Sequence, residues 1–146
     1  MHMGRKRLPH EVPAGASNSP EDELFFITIC CKQREINSLA VPEVWERIGE
    51  SMDYFENKGE LAVRAALAMP DHFHALWRFP GTVAMPQVIS GFKRWVARYG
   101  GVEWQRDFFD HRIRGWESAV EKAGYIRMNP VRAGLVERSE DWLFQR

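Results

Sequence analysis

The eight residues HFHALWRF (72–79) constrain this chain more than any other segment. Side chains on a strand alternate between two faces. As a strand, the segment puts Phe73, Ala75, Trp77 and Phe79 on one apolar face, and His72 and His74 project together from the other. A second apolar run, LAVRAALA (61–68), lies just upstream, and only Met69-Pro70-Asp71 separates the two. So short a link joins neighbouring antiparallel strands. The fold is expected to contain a hairpin with a core on one side and an imidazole pair on the other.

The rest of the pattern builds around that hairpin. LFFITICC, beginning at Leu24, is a continuous apolar, β-branched and aromatic run, the mark of a buried strand. Pro42 suits the first turn of a helix, and Val44, Trp45, Ile48, Met52 and Phe55 follow at helical spacing until Asn57 to Gly59 stops them. After the hairpin, Thr82 is a candidate cap for a second helix carrying Met85, Val88, Ile89, Phe92, Val96 and Tyr99, ended by Gly100-Gly101. FFDHRIR (108–114) reads as a fourth strand. A last helix is predicted from about Trp116 to about Met128, where Asn129-Pro130 interrupts it. The order β-α-β-β-α-β-α makes the fold class α+β. Its first six elements form a ferredoxin-like four-stranded antiparallel sheet with two helices on one face, and the added C-terminal helix carries Tyr125. That helix is expected to cover the open face of the sheet.

The length, 146 residues with 45% hydrophobic, suits one domain. Residues 1–20 are rich in Pro, Gly, Ala and Ser without a hydrophobic period and are expected to be a flexible tail, with residues 21–146 as the single domain. No segment approaches the roughly 18 apolar residues of a membrane span, and the N-terminus lacks the apolar stretch of a secretory signal. A cytoplasmic, nucleoid-associated protein is the expectation. The adjacent Cys30 and Cys31 match no zinc spacing and read as small buried hydrophobes.

The formal net charge is zero, which argues against a strongly basic nucleic-acid binder, but the charge is uneven. Residues 1–20 carry net +2, residues 21–90 net −5 and residues 91–146 net +3, and nine of the last eleven basic residues are Arg. This permits a local basic face. Candidates to touch phosphates are Arg5, Lys6 and Arg7 in the tail, Lys93, Arg94 and Arg98 on the second helix, and Arg112 and Arg114 on the fourth strand. Each is equally compatible with a solvated or ion-paired surface. Trp104, Phe108 and Phe109 could stack on bases or belong to the core.

Two groups carry chemistry. His72 and His74, about 7 Å apart along one face of a strand, can converge on a single cation, and Asp71 just ahead can orient an imidazole. The plain alternative is a pair of exposed histidines. Tyr125 and Asn129 stand four apart at the end of the last helix, on nearly the same side. A phenol can act as a nucleophile and form a covalent intermediate, and an amide oxygen can be a third metal ligand. The plain alternative is a packed tyrosine followed by an Asn-Pro turn.

MPDHFHAL (69–76) resembles the His-hydrophobe-His signature of the IS200-like single-tyrosine transposases. WQRDFFDHRIR (104–114) and YIRMNPVRAGLV (125–136) resemble the REP-associated branch of that superfamily, and FFITICCKQRE looks like its opening strand. The resemblance runs from about Leu24 to Trp142. It implies that His72, His74 and Asn129 hold Mg²⁺ or Mn²⁺ and that Tyr125 is the nucleophile. It also implies action on single-stranded DNA beside imperfect hairpins, through a 5′-phosphotyrosine intermediate. Such relatives commonly extend beyond the terminal Trp motif, whereas this sequence ends four residues after Trp142. A monomer and a homodimer are both compatible with it. Two other readings stand beside it. One is an inactive or domesticated relative that only binds hairpin DNA or RNA. The other is a ferredoxin-like metal-dependent hydrolase that uses metal-bound water.

Overall fold

The computed structural model describes the backbone of residues 5–7 together with residues 23–114 and 117–146. In chain order the elements are β1 (Arg5–Arg7), β2 (Leu24–Cys30), α1 (Pro42–Asn57), β3 (Ala62–Ala68), β4 (His72–Arg78), α2 (Met85–Gly100), β5 (Phe108–Arg112), α3 (Ala119–Arg127) and α4 (Asn129–Arg132). A 3-10 turn at Ser139–Asp141 follows.

The sheet runs in the order β1-β5-β2-β4-β3. The four strands β5, β2, β4 and β3 are antiparallel neighbours, and β2 lies in the middle with Thr28 opposite His74 and Cys30 opposite His72. The β3–β4 hairpin closes where Met69 N–H donates to the His72 carbonyl at 2.8 Å. This is the expected ferredoxin-like arrangement with one addition. Arg5–Arg7, inside the segment expected to be a tail, pair in parallel with Phe108–Asp110 as a fifth strand. Residues 1–4 and 8–22 of the chain lie outside the described residues.

The two faces of the sheet differ. On one, Phe25, Ile27, Ile29, Phe73, Ala75 and Trp77 meet Val44, Ile48 and Met52 of α1 and Val88, Ile89, Phe92 and Val96 of α2. Each fully buried Phe or Ile there contributes about 1.5–3 kcal/mol, so this layer dominates the stability. On the other face, Ala65, Leu67, Met69 and Leu76 meet Ala123 and Ile126 of α3, with Leu24, Phe26, Ile113 and Trp142 at the margin. The last helix covers the open face as expected, but by a small apolar contact.

Several boundaries differ from the sequence reading. α2 starts at Met85 behind an extended Ala84 with Pro86 in its first turn, so Thr82 is not its cap. β5 ends at Arg112 rather than Arg114, because Arg114 turns inward and is 5% exposed. α3 starts at Ala119, with Ser118 Oγ accepting the Glu121 N–H at 3.1 Å. Trp116, the expected start, is outside the described residues. Pro130 does not end the helical path. It sits in the first turn of α4, where its missing N–H is not needed, and Arg132 N–H still reaches the Met128 carbonyl at 2.9 Å.

One feature has no precursor in the sequence pattern. The C-terminal segment runs along the outer edge of β3. Ala66 N–H donates to the Arg146 carbonyl at 3.0 Å, Arg146 N–H returns to the Ala66 carbonyl at 2.7 Å, and Ala68 N–H donates to Phe144 at 2.9 Å. Trp142 Nε1–H donates to the Ala68 carbonyl at 3.0 Å. These bonds satisfy an edge that would otherwise expose unpaired backbone groups. Among the described residues, no helix is long and apolar enough to cross a membrane.

Candidate metal and tyrosine site

Strand alternation places His72 and His74 side by side on the α3 face of β4, with ring centroids 4.8 Å apart. Each ring is held through Nδ1. His72 Nδ1 lies 2.8 Å from Asp71 Oδ1, and His74 Nδ1 lies 3.0 Å from Thr28 Oγ1 on the paired strand. A ring fixed through Nδ1 can direct Nε2 at a ligand.

Asp71 is itself held in place. Arg34 Nε donates to Oδ2 at 3.0 Å and the Glu35 N–H donates to the same oxygen at 2.8 Å. Glu35 reaches it from a left-handed backbone, φ 67°, unusual for a residue with a side chain. Desolvation works against the carboxylate, but the bonds from Arg34, Glu35 and His72 hold Asp71 well below the usual carboxylate range. His74 is also shifted down, which for an imidazole favours the neutral form. Burial, then the proximity of His72 and Arg132, lowers its pKa to about 3. It is therefore neutral near pH 7, the form a metal ligand requires.

Tyr125 comes to this corner from α3. Phe26 lies between them, its ring centroid 5.4 Å from His74 and 6.3 Å from Tyr125. Arg132, on the next helical turns, lies over the Tyr125 ring with its guanidinium carbon 4.2 Å from the centroid. Its Nη2 donates to the Tyr125 carbonyl at 2.7 Å. The Tyr125 side is open, the residue being 56% exposed, and it borders a cleft of about 450 Å³ lined also by Phe26, His111, Glu121 and Lys122.

Asn129 follows one turn later. Its Nδ2 is buried without a hydrogen-bond partner. An unsatisfied buried amide costs about 1–3 kcal/mol, so the position is not explained by packing alone. Turned over in place, the amide would present Oδ1 instead, an oxygen donor for a cation. Among the described residues, no three His, Cys, Asp or Glu side chains cluster as a metal cage. An amide side chain stands outside that set of residues, and an imidazole nitrogen or an amide oxygen is a donor that a hard or borderline divalent ion accepts.

The basic candidates separate by burial. Lys93 is 4% exposed, and its ammonium donates to the Gln105 and Arg106 carbonyls at 2.8 and 2.9 Å, so it ties down a loop instead of facing a phosphate. Arg112 donates to Glu23 at 3.2 Å with its side chain largely covered. The buried Arg114 lies 3.6 Å from Glu117, which also receives its backbone N–H at 2.8 Å. Both arginines thus serve the fold in this arrangement. Arg94 and Arg98 are exposed on α2, on the far side of the sheet from the histidines. The side chains of Arg5, Lys6 and Arg7 lie outside the described residues. Phe108 is buried and Trp104 donates to the Lys93 carbonyl at 3.1 Å, so both belong to the core and its margin, while Phe109 is exposed. Cys31 is buried and its thiol is pushed up to about 12, mainly by desolvation, which leaves it inert.

Sequence reasoning missed Thr28, Phe26 and Arg132. Only Arg132 left a trace, seven residues after Tyr125 and hence two turns along the same side of a helix. Thr28 and Phe26 reach the site through strand register, which periodicity does not record.

No family model matches the sequence. It is 29% identical over 123 residues to the REP-associated tyrosine transposase of Escherichia coli K12, covering 82% of this chain and 73% of that protein. It is 30% identical over 140 residues to a Haemophilus influenzae protein given the same family name, covering 82% of this chain and 76% of the relative. The fold superposes on the solved structure of a REP-associated tyrosine transposase bound to a REP hairpin, with TM-score 0.75 and 20% identity over 92% of this chain and 82% of that one. The chain belongs to the REP-associated tyrosine transposase family.

Proposed function

We propose that this chain is a metal-dependent single-stranded DNA endonuclease and strand transferase that acts beside hairpin DNA through Tyr125. One observation carries the reading. His74 and Tyr125 lie against the same phenylalanine, Phe26, and the guanidinium over the Tyr125 ring also bears on His74. A phenol and a pair of oriented imidazoles thereby share one corner of an otherwise structural sheet. The choice of hairpin DNA follows the solved relative, which is bound to a REP hairpin.

His72, His74 and Asn129 would hold Mg²⁺ or Mn²⁺. When bound, such an ion supplies charge stabilisation to a phosphate oxygen. The chain's own residues do the rest. Thr28 and Asp71 keep the two imidazoles aimed. Tyr125 Oη loses its proton to solvent and attacks the scissile phosphorus, forming a Tyr–O–P bond. The P–O3′ bond breaks, and the departing oxygen takes up a proton as a free 3′-OH. Tyr125 then carries the 5′-phosphate, and attack by a 3′-OH reverses the step and joins strands without an external energy source. Arg132 steadies the ring and adds positive charge on the side where the phosphate arrives.

The test is incubation with labelled hairpin DNA in Mn²⁺, Mg²⁺ or EDTA, read on denaturing gels that retain protein–DNA adducts. A metal-dependent adduct that disappears in Tyr125→Phe supports the reading. Cleavage that survives the substitution points to metal-activated water, and hairpin binding with no cleavage in any metal points to a DNA-binding derivative.

A further inference from the structure

The molecule has a second charged and aromatic feature, on the side away from the histidines. A groove of about 450 Å³ runs between the outer surfaces of α1 and α2. Its walls include Tyr54, Trp95 and Tyr99, which are 55%, 41% and 52% exposed, and the cations Lys58, Arg94 and Arg98. Among the described residues that line it there is no carboxylate. In a chain whose net charge is zero, that is a local concentration of one sign.

The arrangement is regular. Arg94-Trp95 and Arg98-Tyr99 repeat at four residues along α2, a rise of about 6 Å, comparable to the step between successive nucleotides of an extended strand. Trp95 and Tyr99 have ring centroids 4.4 Å apart at an interplanar angle of 50°, and Arg98 lies 5.4 Å from the Tyr99 centroid. Phe55 makes the floor. It can do so only because position 91 is glycine, since a Cβ there would sit 2.6 Å from Phe55 Cζ. The nearby acids are engaged. Glu50 accepts the Trp95 Nε1–H at 3.2 Å and pairs with Arg47 at 3.0 Å, and Glu60 lies 3.6 Å from Lys58.

Such a surface has no use in the core, because the large rings are outside it. We infer that the α1–α2 groove is a docking track for single-stranded DNA, with bases stacking on Trp95 and Tyr99 and phosphates on Arg94 and Arg98. Alternating aromatic platforms and cations bind a single strand without reading its sequence. The choice of DNA rests on the function proposed above, but the surface is separate from the tyrosine site and lies across the sheet from it. A strand engaged at one place while its neighbouring segment is held at the other would be kept near the cleavage site after the phosphodiester is broken.

The experiment measures binding of a short fluorescein-labelled oligo-dT by anisotropy, in EDTA, from low to moderate salt. Wild type is expected to bind with a clear salt dependence. Arg94→Glu/Arg98→Glu should lower the log–log salt slope by about 1.4, since each phosphate contact on a single strand contributes about 0.7. Tyr99→Ala, an exposed substitution that spares the charge, should weaken binding about tenfold at every salt concentration. No binding by wild type, or wild-type affinity and slope in both variants with unchanged circular dichroism, overturns the inference. EDTA removes the ion that cleavage needs, so the two proposals fail separately. Adduct formation without a groove effect overturns only the track, and a groove effect without any Tyr125 adduct overturns only the nuclease.

Discussion

Arg132 holds Tyr125 at two points at once, with its guanidinium 4.2 Å from the ring centroid and its Nη2 2.7 Å from the backbone carbonyl. The first contact is a cation over an aromatic face and the second closes the end of α3. Since the apolar anchor of α3 near its C-terminal end is little more than Ala123 and Ile126, the orientation of the phenol depends on Arg132 as well as on packing. Arg132→Ala is expected to slow adduct formation about tenfold or more while lowering stability by only about 1 kcal/mol. Arg132→Lys keeps the charge but not the planar fork and should recover part of the rate. Single-turnover adduct gels alongside thermal melts check both.

The Nδ1 partners of the two histidines should matter to an ion they never touch. Thr28→Val and Asp71→Asn each remove or weaken one such partner. Outer-shell changes of this kind typically lower metal affinity by about 10–100-fold. Titration of Mn²⁺ by calorimetry measures it, and unchanged affinity in both variants would remove the orienting role assigned here to Thr28 and Asp71.

Asn129 makes opposite predictions for the metal-free and metal-bound protein. Its buried Nδ2 has no partner. Replacing it with a side chain of similar size and no polar atoms, Asn129→Leu, should leave the metal-free protein as stable or more stable by up to about 1 kcal/mol. The same change should remove most of the stabilisation conferred by added Mn²⁺. Denaturant melts with and without the ion decide the matter. A large loss in EDTA would mean that the amide is a packing residue.

Glu117 should make the start of α3 sensitive to acid. It receives the Arg114 N–H at 2.8 Å and lies 3.1 Å from His111 Nε2 and 3.4 Å from Lys122. Desolvation opposes its charge, but these contacts, led by the Arg114 N–H and His111, bring its pKa down to about 2 from 4.5. The folded value lies below the unfolded one. The stabilisation is therefore complete above about pH 4.5 and is lost as the pH falls towards 2. Glu117→Gln should cost on the order of 2 kcal/mol near neutral pH, and almost nothing near pH 2. Urea unfolding across that range tests the convergence.

Lys93 separates a structural cation from a DNA-binding one. Lys93→Met deletes both bonds to the Gln105 and Arg106 carbonyls. Stability should fall by about 1–3 kcal/mol, while the salt dependence of oligo-dT binding stays at the wild-type slope. A reduced slope would return Lys93 to the phosphate-contacting group.

The sequence was informative where function follows a local period. The alternation in HFHALWRF assigns Phe73, Ala75 and Trp77 to the core and the histidines to the other face, and all three core residues are fully buried. The four-residue interval from Tyr125 to Asn129 marks a helical side in the same way. It was less informative for cations. Lys93 and Arg94 are neighbours on α2, yet one is buried and the other exposed. A long side chain can turn along its helix to bury its stem, so its position on the helix does not decide where its charge goes.

By itself, then, the sequence determined the four antiparallel strands, the two helices packed on them and the shared face of the imidazoles, because hydrophobic periodicity records which side of each element is buried. It did not announce the Arg5–Arg7 strand or the helical turn after Pro130. Tertiary structure alone decided that Phe26 would bridge His74 and Tyr125, that Thr28 would hold the His74 ring, and that the C-terminal segment would close the edge of β3. Those contacts join residues far apart in the chain through strand register and the docking of α3. Register and docking are properties of two elements meeting, and neither element carries them alone.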